Sequence, residues 1–343
     1  MAKQHPAFRA AAVQAESVLH DLDGGIEKAL SIIDDAAEEG VQLLAFPEAW
    51  IPGYPYWAWL GPQVWGMQFV QAYHDNSMEL GSPQHQSICD AARRHSMYIV
   101  LGFSERDKGS LYLAQTIIGP DGEVIANRRK LRPTHVERAV YGDGDGTNLA
   151  VHDTDIGRVG ALCCWEHLQP LSKYAMYSMG EQVHIASWPT FSLYEEKAYA
   201  LGPEANMAAS QVYALEGQCY VIAATSIVTA ATQGKMRLSP EQTDLLRVGG
   251  GASTIFAPDG QRIGNTLAPD EEGLVIADID LGLISLAKAA ADPAGHYARP
   301  DVTRLLLNTT PSRPVERMEA SYRETETELT DESERIDTGD AAA

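Results

Sequence analysis

The chain has 343 residues, 45% of them hydrophobic, enough for a large core in one big domain or two smaller ones. Its formal net charge of −21 repels phosphate backbones and anionic lipid, which argues against nucleic-acid binding and against a basic membrane-surface helix. The four cysteines (Cys89, Cys163, Cys164 and Cys219) form neither a C-x-x-C nor a zinc-type Cys/His spacing. Met1 to Ala15 holds no apolar signal region, and the longest apolar stretch, Cys219 to Ala231, is too short and too rich in Thr and Ser to span a bilayer. These features describe a soluble protein of a reducing compartment, the cytoplasm, with no metal site.

In chain order, Phe8 to Glu16 reads as a strand, and Asp23 as the cap of a helix with Ile26, Leu30, Ile33 and Ala37 on one face, stopped by Gly40. Gln42 to Phe46 is a second buried strand, ending in Pro47-Glu48 and an aromatic, proline-rich loop (Ile51 to Pro62). Ser82-Pro83 supplies an N-cap and first-turn proline for a helix through His95. Strands follow at Tyr98 to Ser104 and Leu111 to Ile118, then a Pro120-Asp121-Gly122 hairpin turn with a return strand from Val124 to Lys130. The loop from Leu131 to Gly146 carries P-T-H-V-E-R and G-D-G-D-G. The latter lacks the spaced ligands of a calcium loop and reads as a turn.

Val159 to Cys164 is an unbroken apolar run of the length of a strand buried on both faces. A helix from Leu168 to Met179, a strand from Gln182 to Ser187, a helix from Glu204 to Glu216 and a strand from Tyr220 to Ser226 continue the alternation. Val228 to Gly250 reads as a polar, irregular surface excursion. Ala252 to Ala257, a second P-D-G turn and Leu274 to Ile279 complete the strands. The pattern implies a mixed sheet covered by helices, and the repeated P-D-G hairpin suggests one sheet built twice. From Glu316 to Asp340 ten acidic residues face three arginines, a net charge of −7 with almost no large apolar side chain. The chain therefore divides into a folded domain over 1–315 and an acidic tail over 316–343 that is expected to be disordered.

Three chemically useful side chains fall at strand ends, where open α/β sheets bind ligands. Cys164 closes the central strand on a turn into a helix, whose N-terminus would favour a thiolate; the plain alternative is a buried, inert core cysteine. Glu48 follows Pro47 and reads as either a loop anchor or an acid–base group whose pKa burial would raise. Lys130, in a basic run, reads as a solvated lysine or as the cation opposite an anion formed on attack. Glu137, seven residues on, reads as an ordinary loop ion pair. His135 beside it reads equally as a pocket residue or a loop anchor. A thiol nucleophile needs a base and an anion-stabilising donor, and Cys, Glu and Lys supply both without a metal.

At these residues the sequence resembles the nitrilase superfamily and its true nitrilase branch. The shared motifs are F-P-E-A-W-I-P-G-Y-P (Phe46 to Pro55), R-R-K-L-R-P-T-H-V-E-R (Arg128 to Arg138) and C-W-E-H-L-Q-P-L (Cys164 to Leu171), with E-Q-V-H-I-A-S-W-P (Glu181 to Pro189), E-A-N-M-A-A-S (Glu204 to Ser210) and G-H-Y-A-R-P-D (Gly295 to Asp301). The resemblance implies an αββα sandwich pairing into an αββα-αββα dimer, and often a larger spiral homo-oligomer. It implies a catalytic Glu48-Lys130-Cys164 triad with Glu137 as second glutamate, and no organic or metal cofactor. The C-W-E motif implies hydrolysis of an organic nitrile to carboxylic acid and ammonia. Tyr54, Trp165 and Trp188, each close to a strand end, are expected to line an aryl or arylalkyl pocket, whereas Trp57 and Trp59 read as core packing or dimer surface. The alternatives are a cyanide- or amide-hydrolysing member of the superfamily, or a non-catalytic, filament-forming assembly protein.

Overall fold

The computed structural model describes residues 5–313 and residue 315. Its first half runs β1 (Ala7–Ala15), α1 (Leu22–Glu38), β2 (Leu43–Ala45), α2 (Trp57–Leu60), α3 (Gln63–Asp75), α4 (Pro83–His95), β3 (Tyr98–Asp107), β4 (Ser110–Ile118) and β5 (Val124–Arg129). The second half runs β6 (Val151–Thr154), β7 (Gly157–Cys163), α5 (Pro170–Ser178), β8 (Val183–Trp188), α6 (Pro203–Gly217), β9 (Tyr220–Ser226), α7 (Ala230–Met236), α8 (Pro240–Leu245), β10 (Thr254–Phe256), β11 (Arg262–Ile263), β12 (Gly273–Asp280) and α9 (Leu283–Ala290).

The strand order β5-β4-β3-β2-β1-β9-β8-β7-β6 is continuous only by a narrow seam, Gln14 opposite Thr225 and Ala15 opposite Ser226. On either side of that seam lies the same unit. β1, β2 and β3 are parallel, linked by helices, and β4 and β5 return as an antiparallel hairpin. β7, β8 and β9 repeat the parallel run, and β10 and β11 repeat the hairpin. Each lead strand also carries an antiparallel neighbour, β12 on β1 and β6 on β7. The two P-D-G turns thus occupy equivalent places in a duplicated architecture.

Alternation along the strands sorts side chains into layers. Ala10, Ala12, Leu43 and Val100 of the first sheet meet Val159, Ala161, Ile185 and Ile222 of the second in a shared core. On the outer face of the first sheet, Ala11, Val13, Leu44 and Leu101 pack under Ile26, Ile33, Ile88 and Ala92 of α1 and α4. On the outer face of the second, Leu162, Ala186 and Val221 pack under Met176, Tyr213 and Ala214 of α5 and α6. The result is the expected αββα sandwich. Because β1 to β3 and β7 to β9 are parallel runs that meet at the C-terminal tips of β1 and β9, strand ends bearing chemical groups collect along one edge of it.

The structure corrects several local readings. Asp21, not Asp23, caps α1, its carboxylate accepting from the Gly24 N–H, because the helix begins early enough to pack Leu22 on the core. Val228 to Gly250 is not irregular: Thr229 caps α7, Ser239 and Gln242 form a capping box on α8, and Val228, Met236 and Leu246 are buried. α3 and β6 were not expected. α3 buries only Gly66 and Tyr73 and leaves Val64 and Met67 exposed, so it carries no clear apolar stripe. The acidic tail expected from Glu316 lies outside the described residues.

Candidate active site

Glu48 follows β2, Lys130 follows β5 and Cys164 follows β7, and the fold brings these three strand ends together. Glu48 is fixed by its backbone, whose N–H donates to the Trp188 carbonyl at 3.1 Å across the two sheets. Its approach requires Gly102 on β3, where a Cβ would lie 2.1 Å from the Pro47 oxygen. Lys130 is completely buried and its Nζ donates to Glu48 Oε1 and to Glu137 Oε2, both at 2.8 Å. Glu137 lies in a 3₁₀ turn, His135–Ala139, and also accepts from the Thr134 N–H and the Tyr54 hydroxyl, each at 2.6 Å. Trp59 Nε1 donates in turn to the Tyr54 oxygen at 3.1 Å.

This charge cluster sits in a dry interior, and the shifts follow from that. Burial pushes the Glu48 carboxyl up to about 8, against the opposing pull of Lys130 and with the help of Glu137. Burial alone would lower Lys130, but the two carboxylates hold it well above the usual lysine range. Glu48 Oε2 is buried with no hydrogen-bond partner among the described residues. Once the carboxyl is ionised, this oxygen is a free acceptor within the electrostatic reach of Cys164.

Cys164 is buried and has a positive φ of 46°, an uncommon conformation for a residue with a side chain. It opens a 3₁₀ turn, Cys164–Leu168, rather than a long helix. The expected helix-stabilised thiolate is therefore corrected: burial and then Glu48 push the thiol well above its usual range, and Lys130 and the Trp165 N–H only partly oppose them. A neutral thiol here requires a base.

Sequence reasoning missed what locks this turn. Glu166 accepts from the Cys163 N–H at 2.8 Å, from the Leu131 N–H at 2.9 Å and from Arg128 at 2.7 Å. It binds the nucleophile turn to the segment that carries Lys130. The signal was present in C-W-E-H, an acid two residues after the cysteine.

A narrow cavity of about 30 Å³, room for roughly one water, opens onto Cys164. Tyr54, Glu137 and Trp165 line it, as do Trp59, Phe191 and Asn206. Trp165 is oriented by a hydrogen bond from its indole N–H to Asn206 at 2.9 Å. Trp188 is not brought into the lining. It is wholly buried under α6, donates to Ser210 at 3.0 Å and stacks on His167, because its position on β8 turns it to the helix layer. Trp59, read from sequence as core or dimer surface, does line the cavity and stacks on His135 at 5.5 Å. A larger cavity of about 740 Å³, under α9 and β12, holds none of these groups.

A buried thiol within electrostatic reach of a buried glutamate and lysine, on an αββα sandwich, defines a class, and the pattern of the carbon-nitrogen hydrolase family matches residues 9–289. The chain belongs to that family. Among its relatives, it is 51% identical over 310 residues to the "Nitrilase, arylacetone-specific" of Alcaligenes faecalis, covering 90% of this chain and 87% of the other. It is 52% identical to a nitrilase of Pseudomonas syringae pv. syringae (89% and 91% covered) and 50% identical to an aliphatic nitrilase of Rhodococcus rhodochrous (90% and 84%). Among solved structures, the C. elegans NitFhit protein aligns with a TM-score of 0.68 at 20% identity, covering 91% of this chain and 70% of the other. A carbon-nitrogen hydrolase of Helicobacter pylori aligns with the same TM-score at 18% identity, covering 87% and 97%. These two show the fold.

Proposed function

We propose that the chain is a nitrilase that hydrolyses an organic nitrile with two waters to a carboxylic acid and ammonia. The observation that carries the reading is the unpartnered, buried Glu48 oxygen within the electrostatic reach of a neutral thiol, with Lys130 held by two carboxyls and one of its three N–H donors left over. Glu48 takes the Cys164 proton as sulfur attacks the nitrile carbon. The negative charge developing on nitrogen is met by Lys130 and the Trp165 N–H. Protonation gives a thioimidate, water adds to its carbon, and ammonia leaves as the thioester forms. A second water cleaves the thioester and returns the proton to sulfur. Glu137 holds Lys130 in place and, with Glu48, manages the proton transfers.

Tyr54, Trp59 and Trp165 give the cavity an aromatic lining that suits aryl and arylalkyl nitriles, in line with the names of several relatives. A ring-bearing nitrile needs more than 30 Å³, so these side chains must part to admit it. The chain acts as a homo-oligomer built on paired αββα units, in the cytoplasm, and the acidic tail lies outside the catalytic domain.

The test is ammonia release from a panel of aryl, arylalkyl and aliphatic nitriles and from cyanide, with Cys164→Ala as control. Acid and ammonia from arylalkyl nitriles, lost in the variant, support the reading. Activity confined to cyanide or amides, or unchanged in the variant, would overturn it.

A further inference from the structure

Behind the nucleophile turn lies a second buried polar array that the mechanism above does not use. His167 Nδ1 contacts the Cys164 carbonyl oxygen at 2.6 Å, and its Nε2 contacts His184 Nε2 at 2.9 Å. His184 Nδ1 contacts Glu181 Oε1 at 2.7 Å, and the Tyr213 hydroxyl donates to Glu181 Oε2 at 2.5 Å. Glu181, His167 and His184 are all at most 2% exposed. Glycine at position 160 of β7 makes room for the carboxyl, since a Cβ there would lie 2.1 Å from Glu181 Oε1.

The hydrogens of this chain can be counted. A carbonyl oxygen only accepts, so His167 must carry a hydrogen on Nδ1. The histidine–histidine contact needs a second hydrogen and the histidine–carboxyl contact a third. Two neutral imidazoles bring two. We propose that His167, His184 and Glu181 are positioning residues for Cys164, and that the trio carries one proton more than two neutral imidazoles and a carboxylate, held on the Glu181 carboxyl. The inference rests on the nitrilase reading for its effect on turnover, but not for the proton count.

Placing the third proton on Glu181 leaves no charge in the array, which is the cheapest way to bury it. The surroundings agree. Burial raises the Glu181 carboxyl to about 8 against the opposing Tyr213 bond. Burial and the nearby Arg128 cation keep His184 neutral, with Glu166 opposing. The other titratable groups around the trio are Tyr177 and Lys173 from α5, Glu216 from α6 and Cys219 before β9, with Lys173 and Glu216 paired at 2.7 Å. The mechanical consequence falls on Cys164. Its positive φ is uncommon, and the His167 bond to its carbonyl fixes the peptide that presents both the thiol and the Trp165 N–H. Once Glu181 ionises, His184 has one hydrogen for two acceptors, and one link of the chain is lost.

Glutamine can stand in for a carboxylic acid here, its NH₂ donating to His184 and its oxygen accepting from Tyr213; methionine fills similar space and does neither. Glu181→Gln should keep kcat on a nitrile within about threefold of wild type and lose the alkaline decline in kcat above pH 8. Glu181→Met should lose about tenfold or more in kcat with KM little changed, as a misplaced nucleophile does. The wild-type minus Glu181→Gln infrared difference spectrum at neutral pH should show the carbonyl stretch of a protonated carboxylic acid. Alkylation of Cys164 by iodoacetamide, followed by mass spectrometry, reports the nucleophile without any nitrile and should slow in Glu181→Met alone. A carboxylate band, a Glu181→Gln variant that is inactive or unfolded, or a Glu181→Met variant with wild-type kcat and alkylation would each overturn the proposal. A wild-type enzyme that passes the infrared and alkylation tests but hydrolyses no nitrile supports the positioning trio and overturns the nitrilase reading instead.

Discussion

At the scale of single residues, the site works by setting two carboxyls and a lysine against burial. Lys130 is the centre of that balance. Lys130→Ala removes the cation proposed to stabilise the anion and leaves Glu48 and Glu137 buried without it, so kcat should fall by about 10²–10³ or more. A folded variant, checked by circular dichroism, with near-wild-type kcat would remove Lys130 from the mechanism. Glu48 makes a separate prediction. Its folded pKa is raised to about 8, and as the proposed base it must be ionised to accept the thiol proton. The acid limb of kcat/KM should therefore lie near pH 8, with the rate falling about tenfold for each unit below it. A profile flat from pH 6 to 8 would show that some other group takes the proton. The clustering of Glu48, Lys130, Cys164 and Glu137 was readable because strand-end position and motif agreed. The Cys164 backbone was not readable, since nothing in a cysteine's chemistry predicts a left-handed φ. Trp188 misled because proximity to a strand end says nothing about which face a side chain takes.

At the scale of elements, what was legible followed from local rules. Ser82-Pro83 started α4 where expected, with Ser82 accepting from the His85 N–H, because cap chemistry is decided within four residues. The buried strands were legible because the sandwich covers both of their faces and makes them continuously apolar. α7 and α8 were obscured by their polar composition, although Thr229 and Ser239-Pro240 are start signals of the same kind. The pairing of strand ends across the two sheets was beyond local rules, and close contacts such as that at Gly102 enforce it. Gly102→Ala would drive a methyl into the Pro47 carbonyl, displacing the peptide that carries Glu48. We expect a loss of about 1–3 kcal/mol of stability, as for other overpacked sites. A shift near 1 Å at Glu48 should lower kcat by about 10²-fold. Urea denaturation with steady-state kinetics on the same preparation measures both. Wild-type values for each would mean that the loop after β2 yields without moving the base.

At the scale of the whole molecule, the buried ionisable groups give folding stability a definite pH dependence. Glu48 and Glu181 are both raised to about 8 by burial, so between the usual glutamate pKa and about 8 the folded chain holds two protons that the unfolded chain has released. Their contribution is fully present below the unfolded pKa and is lost as pH rises, at about 1.4 kcal/mol per unit for each group. Burial acts oppositely on His20, His85, His152, His167 and His184, whose folded pKa values are all lowered. Below the usual histidine pKa near 6.5 the unfolded chain takes up protons that these five side chains refuse, and stability falls with acid. Five histidines outweigh two carboxyls on the acid side, and the histidine contribution fades above pH 6.5, so the carboxyls dominate between about pH 7 and 8. The melting temperature should therefore peak near pH 6.5 and decline on both sides. In Glu181→Gln one of the two carboxyl contributions is gone while the opposing histidine contribution stays, so the decline from pH 6.5 to 8 should shrink by more than half, and the acid side, where the histidines dominate, remains. A melting temperature that rises steadily from pH 6.5 to 8, in wild type and variant alike, would show that neither carboxyl is protonated in the folded chain.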